Sequence, residues 1–295
     1  KLRMEYADQN KQIPLSPSYE AFYTVQTTQM VPAWSPGKRD EHLTKKNFFS
    51  KWIGKSLELL HRNPVKFLKA VISPDVWTRK FKQHRTARFY DEHTVEPDFS
   101  TPYIYMPLSK QPEDGVLPRG GAFANQELMV QLVAAHVPTG VSIYLKEHPA
   151  QGELFRSETF YRSIRELPNV RFVPRSADSL RLIHNAKAIA TITGTAGFEA
   201  IFRGKPVLMF GHRFCQYAPG TSMIRSTADC RNAMERIFEK GETPSLRDIR
   251  LFLKAVEETS VPFEGGQLRP DQAPREERAR VMGEMANRIL APLFL

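Results

Sequence analysis

The sequence is poor in cysteine and has no long apolar run, and both absences restrict the class of protein. Only two cysteines occur among 295 residues, Cys215 and Cys230, too few for a disulfide framework or a cysteine-based zinc site. The longest stretch without a charged residue, 21–37, is interrupted by Gln, Thr, Ser and Pro. A membrane-spanning helix needs roughly 18 or more apolar residues. We therefore expect a cytoplasmic protein that does not span a membrane.

Several familiar catalytic motifs are also absent. The eight histidines are scattered without the spacing of metal ligands, so we expect neither a metal site nor a cofactor. The segment Gly-Lys-Ser at 54–56 resembles the end of a phosphate-binding loop, but Phe49 stands where that motif has its first glycine. His212 and Cys215 lie close in sequence without an identifiable orienting partner, which argues against a cysteine nucleophile.

Positive charge is concentrated in one segment. The formal net charge is +10, and residues 38–85 hold thirteen Lys or Arg against four Asp or Glu, a local balance of +9. Apolar spacing on either side of Pro64 predicts two amphipathic helices in this segment. Their apolar faces can be ordinary core, but Lys beside Trp and Phe is also typical of helices at a membrane surface. Peripheral contact with the anionic inner membrane therefore stays an open expectation.

From Tyr103 onward, short apolar runs alternate with helical stretches. The runs are YIYMPL, VSIYLKEH, VRFVP, AIATITG and KPVLMFG, and the helical stretches are 125–136, 155–166, 179–185, 195–203, 227–240, 245–259 and 276–290. This alternation predicts an α/β, Rossmann-like fold with a parallel sheet and helices on both faces. Ligands bind such sheets outside the carboxyl ends of the strands.

We place a domain boundary between residues 100 and 101. Residues 101–295 form the predicted nucleotide-sugar-binding domain, and residues 1–100 form a partial amino-terminal region, mostly helical or irregular. The chain begins at Lys1, without Met and without a signal-like segment, so we expect it to be part of a longer gene product.

The segment TGTAGFEA, residues 193–200, follows an apolar run and opens a predicted helix. Gly194 and Gly197 allow a tight turn and close approach of the backbone to a ligand. The hydroxyls of Thr193 and Thr195 add donors beside the positive end of the helix, where an anion is stabilised. Glu199 is one turn further along and can reach a ribose. The same glycines can instead serve close packing of a capped helix on the sheet.

A second candidate segment, KEHP at 146–149, ends the run VSIYL. Side-chain alternation places Lys146 and His148 on one side of the strand and Glu147 on the other, and Pro149 ends the strand. A lysine and an imidazole together can neutralise or protonate a phosphate. A histidine at a strand end can also be purely structural.

A third candidate segment, 111–115, follows the run YIYMPL and reads Gln-Pro-Glu-Asp-Gly. The adjacent carboxylates of Glu113 and Asp114 can supply a general base, a nucleophile or a stabiliser of a positively charged sugar centre. We count Gln111 among the substrate-binding residues. The alternative is a polar turn, for which this composition is well suited.

The order QPE, LPRGG, KEHP, LPNV, TGTAGFEA and GKPVLMFG, within residues 101–220, resembles the capsule polysaccharide biosynthesis family. Members of that family include bacterial transferases that attach Kdo, an acidic eight-carbon sugar, from CMP-Kdo. The resemblance implies a GT-B-like architecture, in which two Rossmann-like domains face a cleft and the carboxyl-terminal one holds most of the nucleotide. The motif order is also similar to that of bacterial sialyltransferases, which use CMP donors.

The resemblance implies a role for each motif. Glu113 or Asp114 would act at the acceptor hydroxyl, His148 on the donor phosphate, and Thr193 with Thr195 on the same phosphate. The implied protein is a metal-independent glycosyltransferase of capsule or lipopolysaccharide synthesis, with a nucleotide-sugar donor, CMP-linked, and a glycan or glycolipid acceptor. No nucleic-acid partner is expected. Two alternatives stay open: a non-catalytic nucleotide-sugar or polysaccharide-binding component of a capsule assembly, and a sugar-nucleotide epimerase of the same fold.

Overall fold

The computed structural model describes residues 2–28, 61, 63, 64, 73–148, 151, 156–260 and 273–290. Most of the basic segment 38–85, including the apolar sets of its two predicted amphipathic helices, lies outside the described residues. So does Pro149. None of the helices within the described ranges is both long and apolar enough to cross a membrane.

The α-helices of the described part are α1 Leu2–Glu5, α2 Pro17–Thr28, α3 Pro74–Glu92, α4 Gln126–His136, α5 Glu158–Arg165, α6 Ser179–Asn185, α7 Thr195–Ile201, α8 Thr227–Met234, α9 Leu246–Thr259 and α10 Arg275–Leu290. Short 3-10 turns occupy Gly121–Ala124 and Phe214–Tyr217, and a π-helical turn, Glu235–Glu239, continues α8. From α4 onward these helices coincide with the helical stretches that the apolar spacing predicts, within a few residues at each end.

The strands are β1 Tyr103–Pro107, β2 Ser142–Lys146, β3 Val170–Val173, β4 Ala188–Thr191, β5 Val207–Met209 and β6 Thr221–Met223. They form one sheet in the order β3-β2-β1-β4-β5-β6, and every pair is parallel. The predicted α/β, Rossmann-like fold is confirmed. The sequence analysis missed β6, because its three residues are half-buried at the sheet edge and do not form an apolar run.

Alternation along β1 shows how the two faces of the sheet are covered. Ile104 and Met106 belong to the apolar core that includes residues of α4, α5 and α8. Tyr103 and Tyr105, which alternate with them, point to the opposite face. There the Tyr103 hydroxyl donates to the Leu182 carbonyl of α6 at 2.7 Å, and the Tyr105 hydroxyl donates to Ser179 Oγ at 3.3 Å. Buried tyrosines are thus satisfied by the helix that crosses their face.

Polar side chains fix where the helices begin. Asn125 caps α4, Ser157 caps α5 and Asp178 caps α6, each accepting a hydrogen bond from a backbone amide in the first turn. Prolines in residues 1–37 favour irregular structure, yet α2 begins at Pro17. The first helical position tolerates proline, because its missing amide would have no intrahelical partner there.

The chain separates into two compact units, one of residues 1–23 with 247–295 and one of residues 24–246. The second unit contains the sheet. In the first, Arg250 forms an ion pair with Glu20, and Arg247 donates to the carbonyls of Tyr6, Asp8 and Lys11. The boundary between residues 100 and 101 is a different division of the chain, and it stays a prediction.

Removing the cap of α6 should destabilise the protein measurably. Asp178 Oδ1 accepts from Leu180 N at 2.8 Å and from Arg181 N at 3.4 Å. We expect Asp178→Ala to lower the free energy of unfolding by about 1 kcal/mol, measured by urea denaturation. Asp178→Asn retains an acceptor oxygen and should stay close to wild type. Equal losses in both variants would contradict a capping role.

Candidate functional site

The candidate site lies where the carboxyl ends of β2, β1 and β4 are neighbours. In this strand order β2 and β3 lie on one side of β1, and the chain then crosses from β3 to β4 on the other side, which makes the gap between β1 and β4 the topological switch point of the sheet. Sheets of this kind bind ligands in the crevice at that point. The three candidate segments of the sequence analysis follow these three strands, so the fold brings their loops to one edge.

A hydrogen bond joins the loops after β1 and β4 directly. Thr193 is 5% exposed, and its hydroxyl donates to the Gly115 carbonyl at 2.6 Å. A Cβ added at Gly115 would lie 2.7 Å from Thr193 Oγ1, so glycine is needed for this approach. The sequence analysis assigned the Thr193 hydroxyl to a ligand phosphate, whereas in the structure it donates to the neighbouring loop.

The two glycines of the segment 193–200 differ in surroundings. Gly194 caps α7, and its amide donates to Thr191 Oγ1 at 3.1 Å. Gly197 faces the sheet, because an added Cβ would lie 2.9 Å from Thr191 Cγ2 and 3.2 Å from Val207 Cγ1. The structure therefore gives Gly197 a packing role, the alternative that the sequence left open.

Thr195 and Glu199 are placed at different depths on α7. Thr195, the first residue of the helix, is half-buried at the same sheet edge as Gly194. Glu199 is 4% exposed, which leaves little of its side chain to a ligand, and its charge raises the pKa of Arg203 while burial lowers that pKa more strongly. The expected ribose contact of Glu199 stays a prediction.

The adjacent carboxylates of Glu113 and Asp114, in the loop after β1, are both exposed. Of these two, only Asp114 forms an ion pair among the described residues. Asp114 Oδ2 lies 2.7 Å from Arg119 Nη2. Glu113 anchors the turn through its carbonyl, which accepts from the amides of Val116 and Leu117 at 2.9 Å. The Glu113 side chain is therefore the better candidate for chemistry.

His148 follows β2 directly and is half-buried. Burial lowers the pKa of its imidazole, with Lys110 and Arg156 acting in the same direction, while the carboxylates of Glu113 and Glu147 raise it. Because the net direction is downward, the neutral ring predominates at pH 7. Glu113, on the loop after β1, is thus one of the charges that act on the His148 ring.

Lys146 points away from Glu147, as strand alternation requires. Its ammonium donates to the Ala177 carbonyl and to Ser179 Oγ at 2.8 Å, and the residue is 5% exposed. Ala177 lies in the connection between β3 and α6, and Ser179 is the first residue of α6. The structure thus ties Lys146 to the start of α6, and the phosphate contact that the sequence suggested stays a prediction.

Glu147 is the centre of a buried polar cluster that the sequence analysis did not find. It is 1% exposed, and its carboxylate oxygens lie 2.9 and 2.8 Å from Arg156 Nη1. Tyr161 donates its hydroxyl to the same carboxylate, and the His148 amide donates to it at 2.6 Å. Burial and the Glu147 charge raise the pKa of Tyr161. No spacing rule links a strand-end glutamate to an arginine nine residues later.

Gln111 closes the loop after β1. Its side-chain amide donates to the Ala124 carbonyl at 2.6 Å, and Gln126 accepts from and donates to the backbone of Ser109, both at 2.8 Å. These bonds hold the loop in place, and the substrate-binding role expected of Gln111 stays a prediction.

Arg213 is a cation at this edge that the sequence analysis also missed. It follows β5, is half-buried, and its Nη1 donates to the Thr193 carbonyl. The Phe214 ring beside it packs on Phe198 of α7, with ring centroids 5.2 Å apart. The only sequence signal for Arg213 was its place just after the run KPVLMFG.

Within the described ranges, no three His, Cys, Asp or Glu side chains are grouped as a metal site would require.

A family model agrees with the motif order. The model described as capsule polysaccharide biosynthesis protein matches residues 61–271, which is more than half of the chain. The chain belongs to the capsule polysaccharide biosynthesis family. A comparison with curated proteins gives no match.

Among solved structures, the chain is similar to the beta Kdo 2,7 transferase KpsC of Thermosulfurimonas dismutans, with 17% identity over 61% of this chain and 64% of that one and a TM-score of 0.34. It is also similar to Anabaena Alr3699/HepE in complex with UDP-glucose, with 13% identity, 67% and 55% coverage and a TM-score of 0.37. A putative UDP-N-acetylglucosamine 2-epimerase of Listeria monocytogenes gives 12% identity, 69% and 52% coverage and a TM-score of 0.34. The chain thus spans less than two thirds of each of these proteins. At these TM-scores the similarities carry no argument about activity.

Removing the Thr193 hydroxyl should loosen the site without a ligand being involved. We expect Thr193→Val to lower the free energy of unfolding by about 1 to 2 kcal/mol, because the partly buried Gly115 carbonyl loses its donor. Thr193→Ser keeps the hydroxyl and should lose less. Urea denaturation of the three proteins measures the difference, and a serine variant as unstable as the valine variant would contradict the importance of this bond.

Proposed function

We propose that this member of the capsule polysaccharide biosynthesis family is a metal-independent glycosyltransferase of bacterial surface polysaccharide synthesis. It transfers a sugar from a CMP-linked donor to a glycan or glycolipid acceptor, in the cytoplasm or peripherally at the inner membrane. One observation carries the proposal. The loop that holds Glu113 is bonded to Thr193 on one side and, through Gln151, is joined to the loop of His148 on the other. The CMP-linked donor and the independence from metal rest on the family resemblance.

In the proposed reaction, the bond between the anomeric carbon and the donor phosphate breaks and the nucleotide leaves with its electron pair. The acceptor oxygen bonds to the anomeric carbon and gives its proton to Glu113, whose exposed carboxylate is accessible to an acceptor. Stabilising the charge on the departing phosphate is the main contribution expected of the site.

His148 is suited to the phosphate side of this reaction. Its lowered pKa keeps the ring neutral at rest, and a neutral imidazole can donate one N–H bond to a phosphate oxygen. A phosphate that gains negative charge nearby favours the imidazolium form, so the ring becomes more basic as the nucleotide leaves. The Thr195 hydroxyl and the amides at the start of α7 belong to residues at the same sheet edge, and we propose them as further donors to the phosphate.

His148→Ala should lower kcat by about a hundredfold, because it removes the charge partner of the departing phosphate. The assay is release of the nucleotide from a CMP-sugar in the presence of a glycan acceptor, with circular dichroism to show that the variant is folded. His136→Ala is the matched control, since that half-buried histidine ends α4 and its Nδ1 lies 2.9 Å from the Leu132 carbonyl. Turnover at the wild-type rate in His148→Ala would remove this residue from the mechanism.

The donor and the reaction type are tested by a panel of CMP-, UDP- and GDP-sugars. The cognate donor should raise the Tm, since a ligand that binds only the folded state stabilises it. Nucleotide release that requires acceptor and persists in EDTA supports the proposed transferase. Binding without turnover would indicate the non-catalytic binding component instead. Conversion of a UDP-sugar without acceptor would indicate an epimerase.

A further inference from the structure

The side chain of Gln151 joins the loop after β1 to the loop after β2. Its Oε1 accepts from the backbone amide of Gln111 at 2.8 Å, and its Nε2 donates to the backbone carbonyl of Gln111 at 3.1 Å. The Gln151 backbone amide in turn donates to the His148 carbonyl at 2.9 Å. One residue therefore holds backbone groups of both loops, close to Glu113 on one side and to His148 on the other.

Arg156 makes a second connection between the same loops. It is 4% exposed, its Nη1 binds both carboxylate oxygens of Glu147, and its Nη2 donates to the Ser109 carbonyl. Glu147 also accepts from the His148 amide at 2.6 Å. A continuous path of hydrogen bonds thus runs from Ser109 through Arg156 and Glu147 to His148.

Together the two connections hold both backbone polar groups of His148, its amide through Glu147 and its carbonyl through Gln151. They also hold Ser109 and Gln111, the residues from which the chain runs on to Glu113. A buried ion pair with this many donors resists separation, because either charge left alone would be desolvated without compensation. Neither Gln151 nor Arg156 is needed for the hydrogen bonds of the sheet itself.

We infer that Gln151 and Arg156 are positioning residues that set the separation between the Glu113 carboxylate and the His148 imidazole in the reaction proposed above. The expected effect of these two residues on turnover rests on the proposed function. The structural part of the inference does not depend on any activity: these two residues hold the loops together around His148. Displacing a reacting group by about 1 Å is enough to cost up to a hundredfold in rate.

The first test is an NMR titration of the His148 ring in Gln151→Met, a variant of similar size that loses both side-chain hydrogen bonds to Gln111. Burial is the largest cause of the lowered pKa of His148. When the loops separate, we therefore expect that pKa to rise toward the ordinary value of about 6.5. Moving Glu113 away alone would lower this pKa further, since its carboxylate raises it. The charges of Lys110, Glu147 and Arg156 also act on the ring.

The matched control is Gln131→Met, on the exposed face of α4, where the side-chain amide donates to Glu127 at 3.2 Å. It should leave the His148 titration unchanged. Arg156→Lys is the second variant, because a lysine keeps the positive charge but lacks the planar fork that binds Glu147 and Ser109 together. Arg156→Lys should shift the His148 titration. If Gln151→Met does not fold, the titration in Arg156→Lys tests the inference instead.

The second measurement is turnover with a CMP-sugar donor. We expect kcat to fall about tenfold or more in Gln151→Met while KM for the donor changes little, because the substituted side chain positions reacting groups without binding the substrate. An unchanged His148 titration in the folded variants would overturn the inference. A shifted titration in a protein whose wild type has no transferase activity would leave the positioning role intact and refute the proposed function.

Discussion

Parallel alignment of the strands is the constraint on which the rest of the structure depends. In a parallel sheet every strand ends at the same edge, so loops that are distant along the chain are brought together there. Thr193 and Gly115 are 78 residues apart and share a hydrogen bond, because β1 and β4 are neighbours at the switch point. The tyrosines of β1 face α6 and its aliphatic residues face α4, and this two-sided burial keeps the strands in register.

The fold was largely predictable from the sequence, because the strands of a sheet covered on both faces read as short apolar runs. Five of the six strands lie within such runs. Asn125 and Asp178 mark helix starts, because their side chains cap the first turn. β6 was missed because three half-buried residues at an edge give no such run. Pro17 was misleading, since proline signals both irregular structure and the first position of a helix.

The candidate site was predictable only as far as its location. Strand ends could be placed from apolar runs, so the loops with Glu113, His148 and Thr193 could be assigned to one edge. The partners of each side chain could not. Lys146 binds residues 31 and 33 positions away, and Arg156 reaches a carbonyl 47 positions away. Such pairs depend on the three-dimensional path of the chain, and no local periodicity encodes them.

The Thr193 hydroxyl has a consequence for any anion that enters the crevice. A hydroxyl carries a single proton, and here that proton is directed at the Gly115 carbonyl. A phosphate oxygen could receive it only if the Gly115 carbonyl released it, so this hydroxyl can donate its proton to an anion or to the loop after β1, but not to both at once.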